Sequence, residues 1–90
     1  MKRLELQIHG QVQGVAFRWS AQRKAQALGL TGWVRNRIDG TVLLVAEGDS
    51  GSLGQLLTWA EQGPVHARVD RVDADWAEAT GDFATFEVTG

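Results

Sequence analysis

The stretch HGQVQGVAFR, residues 9–18, joins two kinds of periodicity. Before it, Leu4, Leu6 and Ile8 alternate with Arg3, Glu5, Gln7 and His9, the period-two pattern of a strand with one buried face, and predict a first strand over residues 3–9. After it, Phe17, Ala21, Ala25 and Leu28 fall at helical spacing, with Gly29 where a left-handed C-terminal residue is wanted, and predict a helix over residues 17–28. A strand that runs through a glycine-bearing loop straight into a helix leaves main-chain N–H groups unpaired at the helix N-terminus, where the helix adds about half a positive charge. Such an end attracts anions. Gly14 lets the loop curl without a Cβ in the way. Arg18, on the first turn, is badly placed for the dipole, and that local cost suggests an anionic partner whose oxygens its planar fork could grip in pairs. Glycines are also common turn residues, and an arginine near a helix start is often only a surface residue, so the loop alone leaves both readings open. It lacks the Lys-Ser/Thr ending of a nucleotide phosphate loop and the full three-glycine dinucleotide pattern, so neither nucleoside triphosphate nor dinucleotide binding follows.

Further along, TGWVRNRIDGTVLLVAEG (residues 31–48) offers two β-rich runs around Asp39-Gly40, a dipeptide suited to a tight hairpin because both central positions can take positive φ. Ser52 and Gln55 read as a capping box ahead of Leu53, Leu56, Leu57 and Ala60, which share one helix face, and Gly63-Pro64 stops this second helix. Val65, Ala67 and Val69 alternate, but Val72, Ala74 and Trp76 continue on the other parity, so a fourth strand is expected to kink or bulge near Asp70-Arg71. A short last strand is expected from Phe83 or Ala84 through Val88. The order β-α-β-β-α-β plus a C-terminal strand predicts an α/β (α+β) sandwich with two helices on one face of an antiparallel sheet, a split β-α-β arrangement.

The chain has 90 residues, the length of one compact domain, and residues 1–90 are read as such. With 43% hydrophobic and 22% charged residues and one proline, the composition is that of a folded globule. No cysteine is present, which excludes a disulfide framework and a thiolate nucleophile or metal ligand and suits a reducing compartment. No apolar run approaches the roughly 18 residues of a membrane span, and no signal-type block follows Met1-Lys2-Arg3, so a soluble cytoplasmic protein is expected. The net charge of −2 is unevenly spread: up to Arg37 there are seven Lys/Arg against Glu5 alone, and from Ile38 onward two against ten Asp/Glu. That asymmetry can draw an anion to the N-terminal part or simply mark two solvated faces.

Val34, Asn36 and Ile38 share a face by alternation, which sets an amide among aliphatic side chains. A buried amide needs partners. Asn36 is either a structural residue bonding loop backbone or an amide that orients a water molecule beside an anion held by Arg18.

The motif G-x-V-Q-G-V-x-F-R, here Gly10 through Arg18, resembles the signature of the acylphosphatase family, and G-W-V-R-N-R-I-D-G, Gly32 through Gly40, resembles its second motif. Ala46-Glu47-Gly48, Gly63-Pro64 and the closing Phe83 to Val88 segment are similar in order and spacing, so that the likeness covers essentially the whole chain. The resemblance implies a ferredoxin-like sandwich and a metal-free, cofactor-free hydrolase of small-molecule acyl phosphates, releasing a carboxylate and inorganic phosphate. It implies further that Arg18 and the loop N–H groups of Gln13, Gly14, Val15, Ala16, Phe17 and Arg18 bind phosphate, and that Asn36 holds the attacking water. Ala16 stands where the family commonly has glycine, and Leu43-Leu44 replace a more polar pair.

His9 and His66 have no paired carboxylate at ligand spacing, and no metal site is expected. Trp19, Trp33, Trp59 and Trp76 could form a stacking platform for single-stranded nucleic acid, but Asp70, Asp73 and Asp75 oppose it and core packing is the weightier reading. The expected working form is a monomer without nucleic-acid or membrane partners. The rival class is a non-catalytic anion- or RNA-binding module on the same fold.

Overall fold

In a computed structural model describing residues 1–90, the elements follow in the order β1 (Lys2–Gln11), α1 (Phe17–Ala27), β2 (Thr31–Asn36), β3 (Val42–Gly48), α2 (Ser50–Gln62), β4 (Arg68–Glu78) and β5 (Phe86–Thr89). The alternation in β1 turns Leu4, Leu6 and Ile8 to one side, where they are fully buried with Val42, Leu44 and Ala46 of β3. The two helices cover that side. Phe17, Ala21 and Ala25 form the buried stripe of α1, and Leu53, Leu56 and Ala60 that of α2. Each fully buried leucine contributes roughly 1.5–3 kcal/mol by leaving water, and the small alanines let α1 lie close to the sheet.

The strands are ordered β4-β1-β3-β2-β5. Neighbouring strands from β4 to β2 pair antiparallel as expected, but β5 pairs with β2 in parallel, Gly32 opposite Phe86 and Val34 opposite Val88, so the sheet is mixed. The reason lies in the connection. The chain leaves β4 at one edge, crosses to the other along the same end of the sheet, and must then run back up beside β2. The crossing is anchored by Glu47, 4% exposed, whose carboxylate accepts from the Thr80 N–H at 2.8 Å, the Thr80 hydroxyl at 2.9 Å and the Gly81 N–H at 3.0 Å. Burial pushes this carboxyl up, but those three hydrogen bonds, with the Arg3 guanidinium beside them, outweigh it and leave the pKa below its ordinary value.

Other differences from the expected layout are local. The cap of α2 is Asp49, whose carboxylate accepts from the Gly51 and Ser52 N–H groups, and this replaces the Ser52–Gln55 box because the helix starts one turn earlier, at Ser50, with Ser52 already inside it. The β2–β3 connection is a three-residue turn in which Gly40 alone takes positive φ, closed by Arg37 N–H to the Thr41 carbonyl at 2.8 Å. Ile38 belongs to this turn and is fully exposed, so it does not share a face with Val34. Strand β4 begins only at Arg68 and carries the expected bulge: His9 pairs with Arg71 but Gly10 with Val69, leaving Asp70 unpaired. At Gly10, φ is 134° and a Cβ would lie 2.0 Å from the Arg68 carbonyl oxygen, so the bulge admits only glycine there. The last strand starts at Phe86, later than the Phe83 or Ala84 expected, because residues 79–85 are taken up by the crossing.

Candidate active site

β1, β2 and β5 run in the same direction, so their C-terminal ends meet at one end of the sheet, and the N-terminus of α1 opens onto that end. Gln11 ends β1, Asn36 ends β2, and Gly90 follows the last residue of β5. The loop from Val12 to Ala16 links the first of these ends to α1.

This loop curls through two left-handed residues, Gly14 with φ 75° and Ala16 with φ 61° and ψ 24°. Ala16 is the N-terminal flanking residue of α1 and the one non-glycine residue of the chain with positive φ. Its methyl group makes that conformation cost about 1 kcal/mol. The result is a concave run of main-chain donors: the N–H groups from Gln13 through Trp19 have no acceptor within the protein, since helical bonding into this turn begins with the Ser20 N–H to the Ala16 carbonyl at 3.0 Å. No acidic residue occupies the first turn of α1 to satisfy them.

A cavity of about 320 Å³ lies over these donors, with Gly14, Ala16, Arg18, Trp19 and Asn36 on its walls and Val12 and Phe17 as its floor. Arg18 is oriented by the opposite end of the chain, its Nη1 donating to the Gly90 carbonyl at 3.1 Å. It forms none of the five ion pairs of the molecule, and no Asp or Glu side chain faces it. Asn36 brings its carboxamide to the same cavity, and its Oδ1 is buried without a hydrogen-bond partner, the one side-chain atom of the protein in that condition. A buried carbonyl left unpaired costs about 1–3 kcal/mol, so Asn36 sits beside the cavity at a local cost in stability.

Of the other residues expected here, Phe17 is buried and its ring tilts against Trp59 at 5.2 Å, while Val15 packs against the core from the side. Phe17 lines the cavity, whereas Val15 and Gln13 are not on its walls. The Gln13 side chain turns away: its Nε2 donates to the carbonyls of Arg37 at 2.7 Å and Thr41 at 2.9 Å, strapping the loop to the β2–β3 turn. Sequence reasoning missed this strap and the place of Trp19 on the cavity wall. Trp19 follows Arg18 directly, so its adjacency was the available signal.

The four tryptophans occupy separate settings. Trp59 packs on the core, Trp33 lies on the open face under the Arg35 guanidinium at 5.2 Å, Trp76 is on the helix side of edge strand β4, and Trp19 borders the cavity. A wider groove of about 560 Å³ runs beside α2, walled by Lys24, Gly54, Thr58 and Trp59. It gathers one cation and no free main-chain donors, and so has less to offer an anion than the smaller cavity. No helix is long and apolar enough to cross a membrane.

The acylphosphatase family profile matches residues 4–88. An acylphosphatase of Thermococcus kodakarensis is 52% identical over 88 residues, covering 98% of this chain and 96% of that one. One from Methylococcus capsulatus is 53% identical over 88 residues with the same coverage. The crystal structure of acylphosphatase from Bacillus subtilis superposes with a TM-score of 0.96 at 29% identity, over 100% of both chains. A match of this extent in both sequence and fold shows that the chain belongs to the acylphosphatase family.

Proposed function

We propose that the chain, an acyl phosphate hydrolase by family, works as a single domain over residues 1–90 in which Arg18 and the N–H groups of Gln13 to Arg18 bind the phosphoryl group and Asn36 orients the attacking water. The supporting observation is that Asn36, whose Oδ1 has no partner in the protein, shares the walls of one cavity with Arg18 and the loop whose main-chain donors are free. An acceptor in that position suits a water molecule next to a bound oxyanion. The carboxamide takes a hydrogen bond from the water and turns one of its lone pairs toward phosphorus.

Bond by bond, the water oxygen attacks phosphorus, and the P–O bond to the acyl group breaks. The carboxylate leaves with the bonding pair, and the water proton passes to a phosphate oxygen or to solvent. A carboxylate is a good leaving group, so no strong general acid is called for, and positioning plus charge stabilisation carry the reaction. One fixed donor aimed at transition-state charge is worth about 3–4 kcal/mol, and here a guanidinium acts together with several N–H groups and the helix dipole. In this reading the positive charge comes from the protein itself, and no metal or cofactor takes part. We read the working form as a cytoplasmic monomer acting on small-molecule acyl phosphates without a nucleic-acid partner; the absence of cysteine suits a reducing compartment.

The test is release of inorganic phosphate from acetyl phosphate or benzoyl phosphate with and without EDTA. Chelator-insensitive turnover is expected. Saturable phosphate binding with no turnover would instead favour the non-catalytic anion-binding module.

A further inference from the structure

The cavity over the α1 N-terminus has more room than a phosphoryl group needs. At about 320 Å³ it falls at the lower end of the roughly 300–1,000 Å³ of small-molecule sites. Its polar walls are already engaged in the reading above: the loop amides and Arg18 face the phosphate, and Asn36 the water. Of the apolar lining, Val12 and Phe17 are each only 1% exposed and form a floor with almost no surface to offer. What remains for the acyl half of the substrate is Trp19.

Trp19 is 58% exposed, although an indole is among the costliest side chains to leave in water. The other large aromatics on the helices are used in packing, Phe17 against Trp59 and both against the core, whereas Trp19 belongs neither to the core cluster nor to the residues packed on it. Although neighbouring helix positions point apart, Trp19 and Arg18 both line this one cavity, so a group bonded to an oxygen of a phosphate held by Arg18 has the indole within the same hollow.

We infer that Trp19 is a specificity-determining residue whose exposed indole stacks on the acyl group, giving preference to acyl phosphates with planar, apolar acyl groups over those with small aliphatic ones. This rests on the acyl phosphate hydrolase reading and adds the acyl side to it. Stacking of a planar group on an aromatic side chain is worth about fivefold to a hundredfold in affinity, and that much selectivity hangs on one side chain.

The experiment compares kcat/KM for benzoyl phosphate and acetyl phosphate in the unaltered protein, Trp19→Ala and Trp19→Phe, together with the affinities of phenylphosphonate and methylphosphonate by calorimetry. The benzoyl-to-acetyl ratio is expected to fall about tenfold in Trp19→Ala and to be largely restored in Trp19→Phe, with the phenyl-over-methyl preference in phosphonate binding changing in parallel. A ratio that stays constant across all three proteins overturns the inference, as does an equal fall for both substrates. If phosphonates bind with the Trp19-dependent preference while neither acyl phosphate is hydrolysed, the indole contact stands and the hydrolase reading fails. The two failures are thereby separated.

Discussion

Gln13 and Arg37, 24 residues apart, are joined by a 2.7 Å hydrogen bond from the Gln13 carboxamide to the Arg37 carbonyl, and the same nitrogen reaches the Thr41 carbonyl at 2.9 Å. One side chain thus ties the loop that carries the anion donors to the turn that follows Asn36. Gln13→Ala removes one donor from each of two carbonyls that keep a main-chain partner, Arg37 from the Gly40 N–H and Thr41 from the Arg37 N–H, and should cost about 0.5–1.5 kcal/mol of stability in urea unfolding. Because the strap fixes Asn36 relative to the loop, kcat is expected to fall about tenfold while the inhibition constant of phosphate changes little. Parallel loss of both would show that Gln13 merely keeps the loop folded.

Arg18→Ala removes the cation of the cavity. Hydrolysis of acyl phosphates should drop at least about a hundredfold, and inhibition by phosphate should be lost. The guanidinium is partly solvated and outside the core, so thermal unfolding should be close to that of the parent. Near-normal turnover by this variant would refute the assignment.

Asn36→Ala separates function from stability. With Asn36 orienting water as proposed, turnover is expected to fall about a hundredfold with phosphate affinity largely kept. Removing a buried carbonyl that lacks a partner should leave stability unchanged or raise it by up to about 1 kcal/mol. A large stability loss would mean that the amide is a structural crosslink.

Ala16→Gly relieves the methyl group at φ 61°. Against a larger backbone entropy in the unfolded chain, a net gain of up to about 0.6 kcal/mol is expected, read from the urea midpoint with the m-value unchanged. A destabilised variant would show that the left-handed conformation carries no strain.

Glu47 makes stability depend on acid. Its folded pKa is depressed, so the unfolded state binds more protons, and stability should hold above the ordinary value of 4.5 and decline as pH falls below it toward the folded pKa. Urea unfolding from pH 7 to pH 3 should show this decline, and Glu47→Gln should flatten it while lowering stability at neutral pH. An acid limb unchanged in that variant would assign the effect to other carboxylates.

Periodicity made β1, both helices and the bulge near Asp70 legible, because a buried stripe imposes a regular spacing on its own sequence. Asp49 as the cap and the single left-handed residue of the β2–β3 turn were local choices between neighbouring candidates that spacing does not decide, and the parallel docking of β5 was not legible because it depends on the donors a distant segment supplies. Glu47 shows this well: its role in turning the chain back beside β2 is set by Thr80 and Gly81, more than thirty residues away. At the cavity, Arg18 and Asn36 stood out as local misfits, a cation at a positive helix end and an amide on an aliphatic face. Gln13 and Trp19 carried no such conflict, and only the fold gives them their places.

The hydrogen bond from Arg18 to the Gly90 carbonyl spans 72 residues of chain. The guanidinium acquires its aim only after the final strand has been laid along β2, so a form that has collapsed around its helices but left that edge unformed would look folded by far-ultraviolet dichroism and still be inert. Recovery of catalysis during refolding is therefore a clock for the closing of the sheet, read at the far side of the molecule from the segment that starts it.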